Sequence, residues 1–167
     1  MKIFIFFLSV FFALSAHSKT LQIGDLPIDV VGKNTDGSEI KISDYKGKVV
    51  IVSFWASWCG PCRKELPVLS GIQKKATPEK LQVISINIDE DRKLFKNLVE
   101  AFGETQMKLI SDYNRKTYKK YGVEGIPHML IINSEGSIAA IHVGYGESQL
   151  PALVEEINEI ARHKPAS

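Results

Sequence analysis

The chain has 167 residues, 44% hydrophobic and 24% charged, a balance that fits one globular domain and excludes disordered, fibrous and collagen-like chains. Lysine and arginine number 21 against 19 aspartate and glutamate, so the net charge of +2 offers no basic excess for a nucleic-acid backbone, and no nucleic-acid partner is expected. Two cysteines are too few for a disulfide scaffold or a four-thiolate zinc site, and no stretch approaches the roughly 20 apolar residues that span a bilayer.

Met1-Lys2 is a short basic start, and residues 3–16 are apolar apart from Ser9 and Ser15. Ala16-His17-Ser18 then sets small residues two apart. This is the pattern of a secretory signal peptide over residues 1–18, leaving a domain at 19–167. The competing expectation is an uncleaved membrane anchor through residues 3–16. A cleaved signal implies export, to the periplasm in a Gram-negative cell.

Residues 29–31 and 39–42 flank a turn at Asp36-Gly37 and predict an N-terminal hairpin. Residues 49–55, Val-Val-Ile-Val-Ser-Phe-Trp, predict a strand buried on both faces. Gly60-Pro61 opens a helix with Leu66, Leu69 and Ile72 on one face and Pro67, which should kink it, inside. A second apolar strand is predicted over 81–88. Asp89-Glu90-Asp91 places negative charge where the next helix begins, and Leu94, Phe95, Leu98, Val99 and Phe102 share the spacing of its buried face. Residues 114–121 predict a short helix ending at Gly122. Strands follow at 128–133 and 138–143, joined by Ser134-Glu135-Gly136. A last helix is predicted over 147–163, with Leu150, Leu153, Val154, Ile157, Ile160 and Ala161 as its buried stripe. The order predicts an α/β fold with a mixed central sheet and helices on both faces. Residues 163–167 read as a frayed tail.

Cys59-Gly60-Pro61-Cys62 lies between the first long strand and its helix, flanked by Trp55 and Trp58. An exported chain could use its lone pair as a plain structural disulfide. Yet a loop this small gains little from closure, so the spacing favours chemistry. The first turn of a helix carries unpaired N–H groups and partial positive charge, which stabilise a thiolate. Cys-x-x-Cys pairs in such places have thiol pKa values from about 3.5 to 7.5. Cys59 is expected to be the exposed nucleophile, and Cys62, one turn on, the buried resolving thiol. Pro61 costs no hydrogen bond at this position.

The segment from Ser53 through Trp58-Cys59-Gly60-Pro61-Cys62 to Glu65 and Pro67 resembles the active site of the thioredoxin superfamily. It is most similar to the exported TlpA/ResA-type thiol–disulfide oxidoreductases, with a likeness covering nearly all of residues 22–162. Three features favour that branch: the signal peptide, Ile42-Ser43-Asp44-Tyr45-Lys46-Gly47-Lys48 after the hairpin, and extra helical sequence around 91–121. The resemblance implies a thioredoxin-like fold with an N-terminal β-hairpin extension and an inserted helical segment. It implies a cis bond at Ile126-Pro127, in a loop facing the cysteines where the Ile126 backbone would bind an extended substrate. Trp58, Gly60, Pro61, Ile126, Pro127 and His128 are the expected substrate-binding residues.

Two departures stand out. Ser53 occupies the place of the buried aspartate of thioredoxin and cannot accept a proton at neutral pH. Glu65, three residues after Cys62, is the position of a glutamate common in TlpA/ResA-type proteins, where it would relay a proton to Cys62. The other reading makes Glu65 a solvated surface residue. His128 stands where relatives often carry Thr. It would stabilise the Cys59 thiolate as an imidazolium, complete a Cys2His metal site as a neutral ring, or simply pack.

The expected reaction is disulfide reduction by thiol–disulfide exchange, with no cofactor and no metal. Expected partners are disulfide-containing exported proteins, apocytochrome c among them as in cytochrome c maturation, and a membrane electron donor of the DsbD/CcdA type. Competing functions are a peroxiredoxin-like antioxidant and a Sco-like copper chaperone. His142 and His163 show no partner in the sequence.

Overall fold

The structure is a computed structural model that describes residues 20–33 and 37–163. The signal or anchor expected at 1–18, Asp36 of the first turn, and tail residues 164–167 lie outside the described residues.

A two-stranded antiparallel hairpin, β1 (Val30–Lys33) and β2 (Glu39–Lys41), leads into a 3-10 turn at Ile42–Tyr45. The central sheet has five strands: β3 (Val49–Trp55), β4 (Leu81–Asn87), β5 (Lys108–Ser111), β6 (His128–Ile132) and β7 (Ile138–Val143). Their spatial order is β5-β4-β3-β6-β7, with β3, β4 and β5 parallel and β6 and β7 antiparallel. The helices are α1 (Gly60–Lys75), α2 (Arg92–Phe102), α3 (Lys116–Lys120) and α4 (Leu150–Arg162).

β3 is central because every one of its residues is buried, as its unbroken apolar run requires. Side chains alternate across the sheet. Val50, Val52 and Phe54 join Ile84, Ile86, Leu130 and Ile132 on one face, covered by Val31 and Ile40 of the hairpin and by Tyr121 and Val123. Val49 and Ile51 join Val83, Met129 and Ile131 on the other, against Leu69 of α1, Phe95 of α2, and Leu153 and Ile157 of α4. Each such aliphatic side chain contributes about 1.5–3 kcal/mol by leaving water. The hairpin side is further tied by Thr117 Oγ1 donating to the Val31 carbonyl (3.2 Å) and the Tyr121 hydroxyl donating to the Ile28 carbonyl (2.7 Å).

Four expectations need correction. Residues 91–121 are not wholly helical, since they contain β5. That strand has only four residues, and what makes it a strand is its register against β4, from Ile84↔Lys108 to Asn87↔Ser111. The helix expected from 114 begins at Lys116, because Arg115 takes a left-handed backbone (φ 53°) while the Asp112 carboxylate caps the Thr117 and Tyr118 N–H groups. Residues 147–149 form a 3-10 turn, and α4 starts at Leu150 with Pro151 in its first turn. The buried stripes are also narrower than expected. Leu94, Val154 and Ala161 are exposed, since each lies at the flank of a helix that touches the sheet along one row only. α1 runs through Pro67, which sits on its solvent side.

Candidate active site

β3 ends at Trp55, and the chain turns through Ala56–Cys59, closed by the Cys59 N–H donating to the Ala56 carbonyl (3.1 Å). Cys59 is the N-cap of α1, with extended backbone, and its sulfur accepts the Cys62 N–H at 3.2 Å. The two cysteines form a disulfide with Cα atoms 5.3 Å apart. Pro61 sits in the first helical turn, where no N–H is needed. Both sulfurs therefore lie at the positive end of a 16-residue helix. Cys62 is fully buried, while Cys59 keeps 5% exposure. Cys59 is the more exposed of the two, but it is buried rather than exposed as expected, because Trp55, Leu66 and Ile126 pack around the pair. Gly60 is half-buried and Pro61 exposed, so the bridge between the cysteines lies at the surface.

Glu65 follows Cys62 by one helical turn and shares its face. It is buried, so the solvated reading fails. One carboxyl oxygen accepts the Ser53 hydroxyl at 2.8 Å, and the other is buried without a partner. Burial drives its pKa up to about 7, against an opposing pull from the Ser53 hydrogen bond. Ser53, which cannot relay a proton itself, thus holds the Glu65 pKa lower than burial alone would set it. Replacing Ser53 with Ala should move the Glu65 titration above its present midpoint, and carboxyl NMR signals followed against pH would show it. An unmoved midpoint would remove Ser53 from this role.

Ile126-Pro127 is a cis peptide bond. The Ile126 carbonyl oxygen is 3.8 Å from Cys59 Sγ, so this loop does face the disulfide. The loop is held from behind by the Gly144 N–H donating to the Pro127 carbonyl (2.8 Å). His128, next in β6, is buried, stacks edge-on against Phe54 with centroids 6.3 Å apart, and leaves Nδ1 unpartnered. Burial pushes its pKa below the ordinary histidine value, so the ring is neutral at neutral pH. That burial, with the ring edge-on to Phe54, favours the packing reading over the imidazolium one. No three metal-ligating side chains converge among the described residues, so a Cys2His centre is not assembled either.

Trp58 is 61% exposed beside the pair. Its indole N–H donates to Asp89 Oδ2 at 2.7 Å, and Asp89 Oδ1 accepts Arg115 Nη2 at the same distance. Glu90, also buried, accepts the Ser57 N–H at 2.7 Å. Sequence reasoning assigned Asp89-Glu90-Asp91 to the start of α2 alone. Only Asp91 does that, as N-cap to Lys93 and Leu94; the other two turn back to hold the loop before Cys59. The signal available was three carboxylates where one cap suffices. Arg115 left no signal at all. His142, without a visible partner in the sequence, meets Glu156 at 2.6 Å far from this chemistry.

The arrangement can carry a reversible disulfide whose Gly60-Pro61 bridge lies at the surface, a stabilised thiolate on reduction, and a buried carboxyl whose pKa is raised to about 7. Residues 22–157 match the Redoxin family. A thiol-disulfide oxidoreductase ResA of Bacillus thuringiensis (strain Al Hakam) is 30% identical over 143 residues, 85% of this chain and 82% of that protein. ResA of Bacillus subtilis (strain 168) is 27% identical over 136 residues, covering 81% and 75%. Among solved structures, a Chlorobium tepidum protein assigned as the thiol:disulfide interchange protein DsbE superposes with a TM-score of 0.77 at 31% identity, covering 85% of this chain and 99% of that one.

Proposed function

The chain belongs to the Redoxin family, within its thioredoxin-like, ResA-type branch, and from that premise we propose that it is an exported reductase of protein disulfides. It is a thiol–disulfide oxidoreductase, and the observation that carries this is the Cys59–Cys62 disulfide at the head of α1, facing the cis Ile126-Pro127 loop.

The proposed steps use the residues placed around the pair. In the dithiol form, the Cys59 thiolate attacks one sulfur of the client disulfide, and the other client sulfur leaves as a thiolate that takes up a proton. Glu65, as carboxylate, accepts the Cys62 proton, and the Cys62 thiolate attacks Cys59 Sγ. That attack breaks the Cys59–client bond, the second client sulfur leaves as a thiolate and takes the proton held by Glu65, and the client departs with two thiols while the protein keeps the disulfide. Electrons and protons balance without a cofactor. Trp58, Gly60, Pro61, Ile126 and Pro127 would form the docking rim, with Ile126 offering backbone to an extended client segment.

The Gly60-Pro61 dipeptide supports the reducing direction, being the bridge found in thioredoxin. Residues 1–18 support export. A reductase outside the cytoplasm must be recharged, which calls for a membrane donor of the DsbD/CcdA type. Apocytochrome c, whose haem-site dithiol must be reduced before attachment, is a fitting client. The decisive measurement is the reduction potential of the pair, by equilibration with thiol buffers and trapping of free thiols. A value near that of thioredoxin, about −270 mV, is expected; one near that of DsbA, about −120 mV, would make the protein an oxidant.

A further inference from the structure

We propose that Arg115 is a positioning residue for protein clients: it locks Asp89, which fixes the exposed Trp58 indole beside the Cys59–Cys62 pair. The inference rests on the exchange reaction proposed above and adds to it a determinant of client recognition.

An exposed tryptophan has several rotamers open to it, and ordering one on client binding costs affinity. Trp58 has a single polar atom, the Nε1 donor, and Asp89 takes it at the short distance of a charge-assisted bond, 2.7 Å. A lone exposed carboxylate would exchange that bond for water easily. Asp89 is not alone, because its other oxygen is held by Arg115 Nη2, also at 2.7 Å. Arg115 and then Trp58 keep this carboxyl below its ordinary pKa, so it is charged across the physiological range.

Arg115 itself is held in place. Its N–H donates to the Asp112 carbonyl at 2.7 Å, and its guanidinium lies 5.8 Å from the Tyr118 ring centre. Its φ of 53° is a conformation that favours glycine, and among the described residues it is the single non-glycine with positive φ. A side chain retained there at a backbone cost points to work done by the side chain. That work joins three loops: the one before Cys59, the one after β4, and the one after β5. The indole is thereby set before a client arrives.

The test compares wild type, Arg115→Gly and Arg115→Lys, each reduced beforehand and freed of reductant. Glycine suits the backbone at this position, so Arg115→Gly removes the side chain without adding strain. Single-turnover reduction of insulin is read against that of oxidised glutathione, which is too small to need the indole. The expected result is an insulin rate constant about fivefold lower in Arg115→Gly, glutathione within twofold of wild type, and partial recovery in Arg115→Lys, whose ammonium makes a point contact only. Fluorotryptophan labelling should show the Trp58 line shifting in Arg115→Gly while the Trp55 line stays. Equal losses on insulin and glutathione, or an unmoved Trp58 line, would overturn the proposal. A wild-type dithiol form inert to both disulfides would overturn the exchange reading and the client role with it. The fluorine line needs no client, so it tells that failure from failure of the latch.

Discussion

Cys59→Ser should abolish thiol–disulfide exchange, by about 10⁴-fold or more on the scale set by removing a catalytic nucleophile, while leaving a folded protein. The thiolate is the attacking species, and a serine hydroxyl neither ionises near neutrality nor forms a disulfide. The fold has little reason to follow. The Cys59–Cys62 loop is so short that its closure contributes about 2 kcal/mol by chain entropy. Serine is itself a favoured N-cap, so the Cys62 N–H that now meets the Cys59 sulfur keeps an acceptor. The thermal midpoint of the variant should match that of the reduced wild type. Collapse of the fold in Cys59→Ser would instead make the disulfide a structural staple. Cys62→Ser should behave differently, arresting the reaction as a mixed disulfide between Cys59 and the client, recoverable on a non-reducing gel.

Glu65→Gln should change both stability and rate, each with a distinct pH profile. The carboxyl has a pKa of about 7 in the folded chain, raised by burial from an ordinary value near 4.5. The folded state therefore binds its proton more tightly than the unfolded state does. The resulting stabilisation is full below about pH 4.5 and is lost as pH rises to about 7, a change of about 3 kcal/mol. Glutamine keeps an oxygen for the Ser53 hydroxyl and carries no charge to bury. Urea denaturation at pH 4 and pH 8 should show the variant gaining about 3 kcal/mol on wild type across that span. Parallel curves would mean Glu65 titrates normally. The rate should move the other way. Above pH 7 the variant lacks the acceptor for the Cys62 proton, and exchange should fall by about 10²-fold, with the inflection near 7 gone. Greater stability with lower activity is the signature of a charge kept buried for chemistry.

What could be read from the sequence divides along a physical line. β3 was plain at both ends, because a run of β-branched and aromatic residues buried on two faces has no other use. The Cys59–Cys62 pair was plain from its place between strand and helix, whereas the cis Ile126-Pro127 bond was legible only through the family resemblance. Glu65 could be located but not characterised. Its titration is set by burial on the α1 face that Cys62, Leu66 and Leu69 share and by the hydrogen bond from Ser53, and that cross-element bond leaves no mark in the local sequence. β5 was missed because four residues carry no pattern of their own and become a strand only beside β4. The Trp58–Asp89–Arg115 chain was invisible for a related reason. It joins three loops across separations of 31 and 26 residues, and nothing local distinguishes its members from solvated charges. His128 carried three readings in the sequence, and its burial against Phe54 favours the plainest, packing. Its position suggested electrostatic influence, but burial lowers its pKa and so disfavours the charged ring.

The segment before β3 crosses the whole sheet. The Gly24 N–H donates to the Ile138 carbonyl on the β7 side (2.8 Å), and the Val31 carbonyl accepts from Thr117 on the β5 side. Residues made early thus find some of their partners among residues made late. Until Tyr121 and Val123 have emerged, the apolar face over Phe54 and Ile86 lacks part of its cover, and long-range closure of this kind is slow. For a chain exported as proposed here, that delay has a use. A polypeptide that cannot seal one face of its sheet ahead of its C-terminal third remains threadable, and its passage through a narrow translocation pore need not compete with a finished fold.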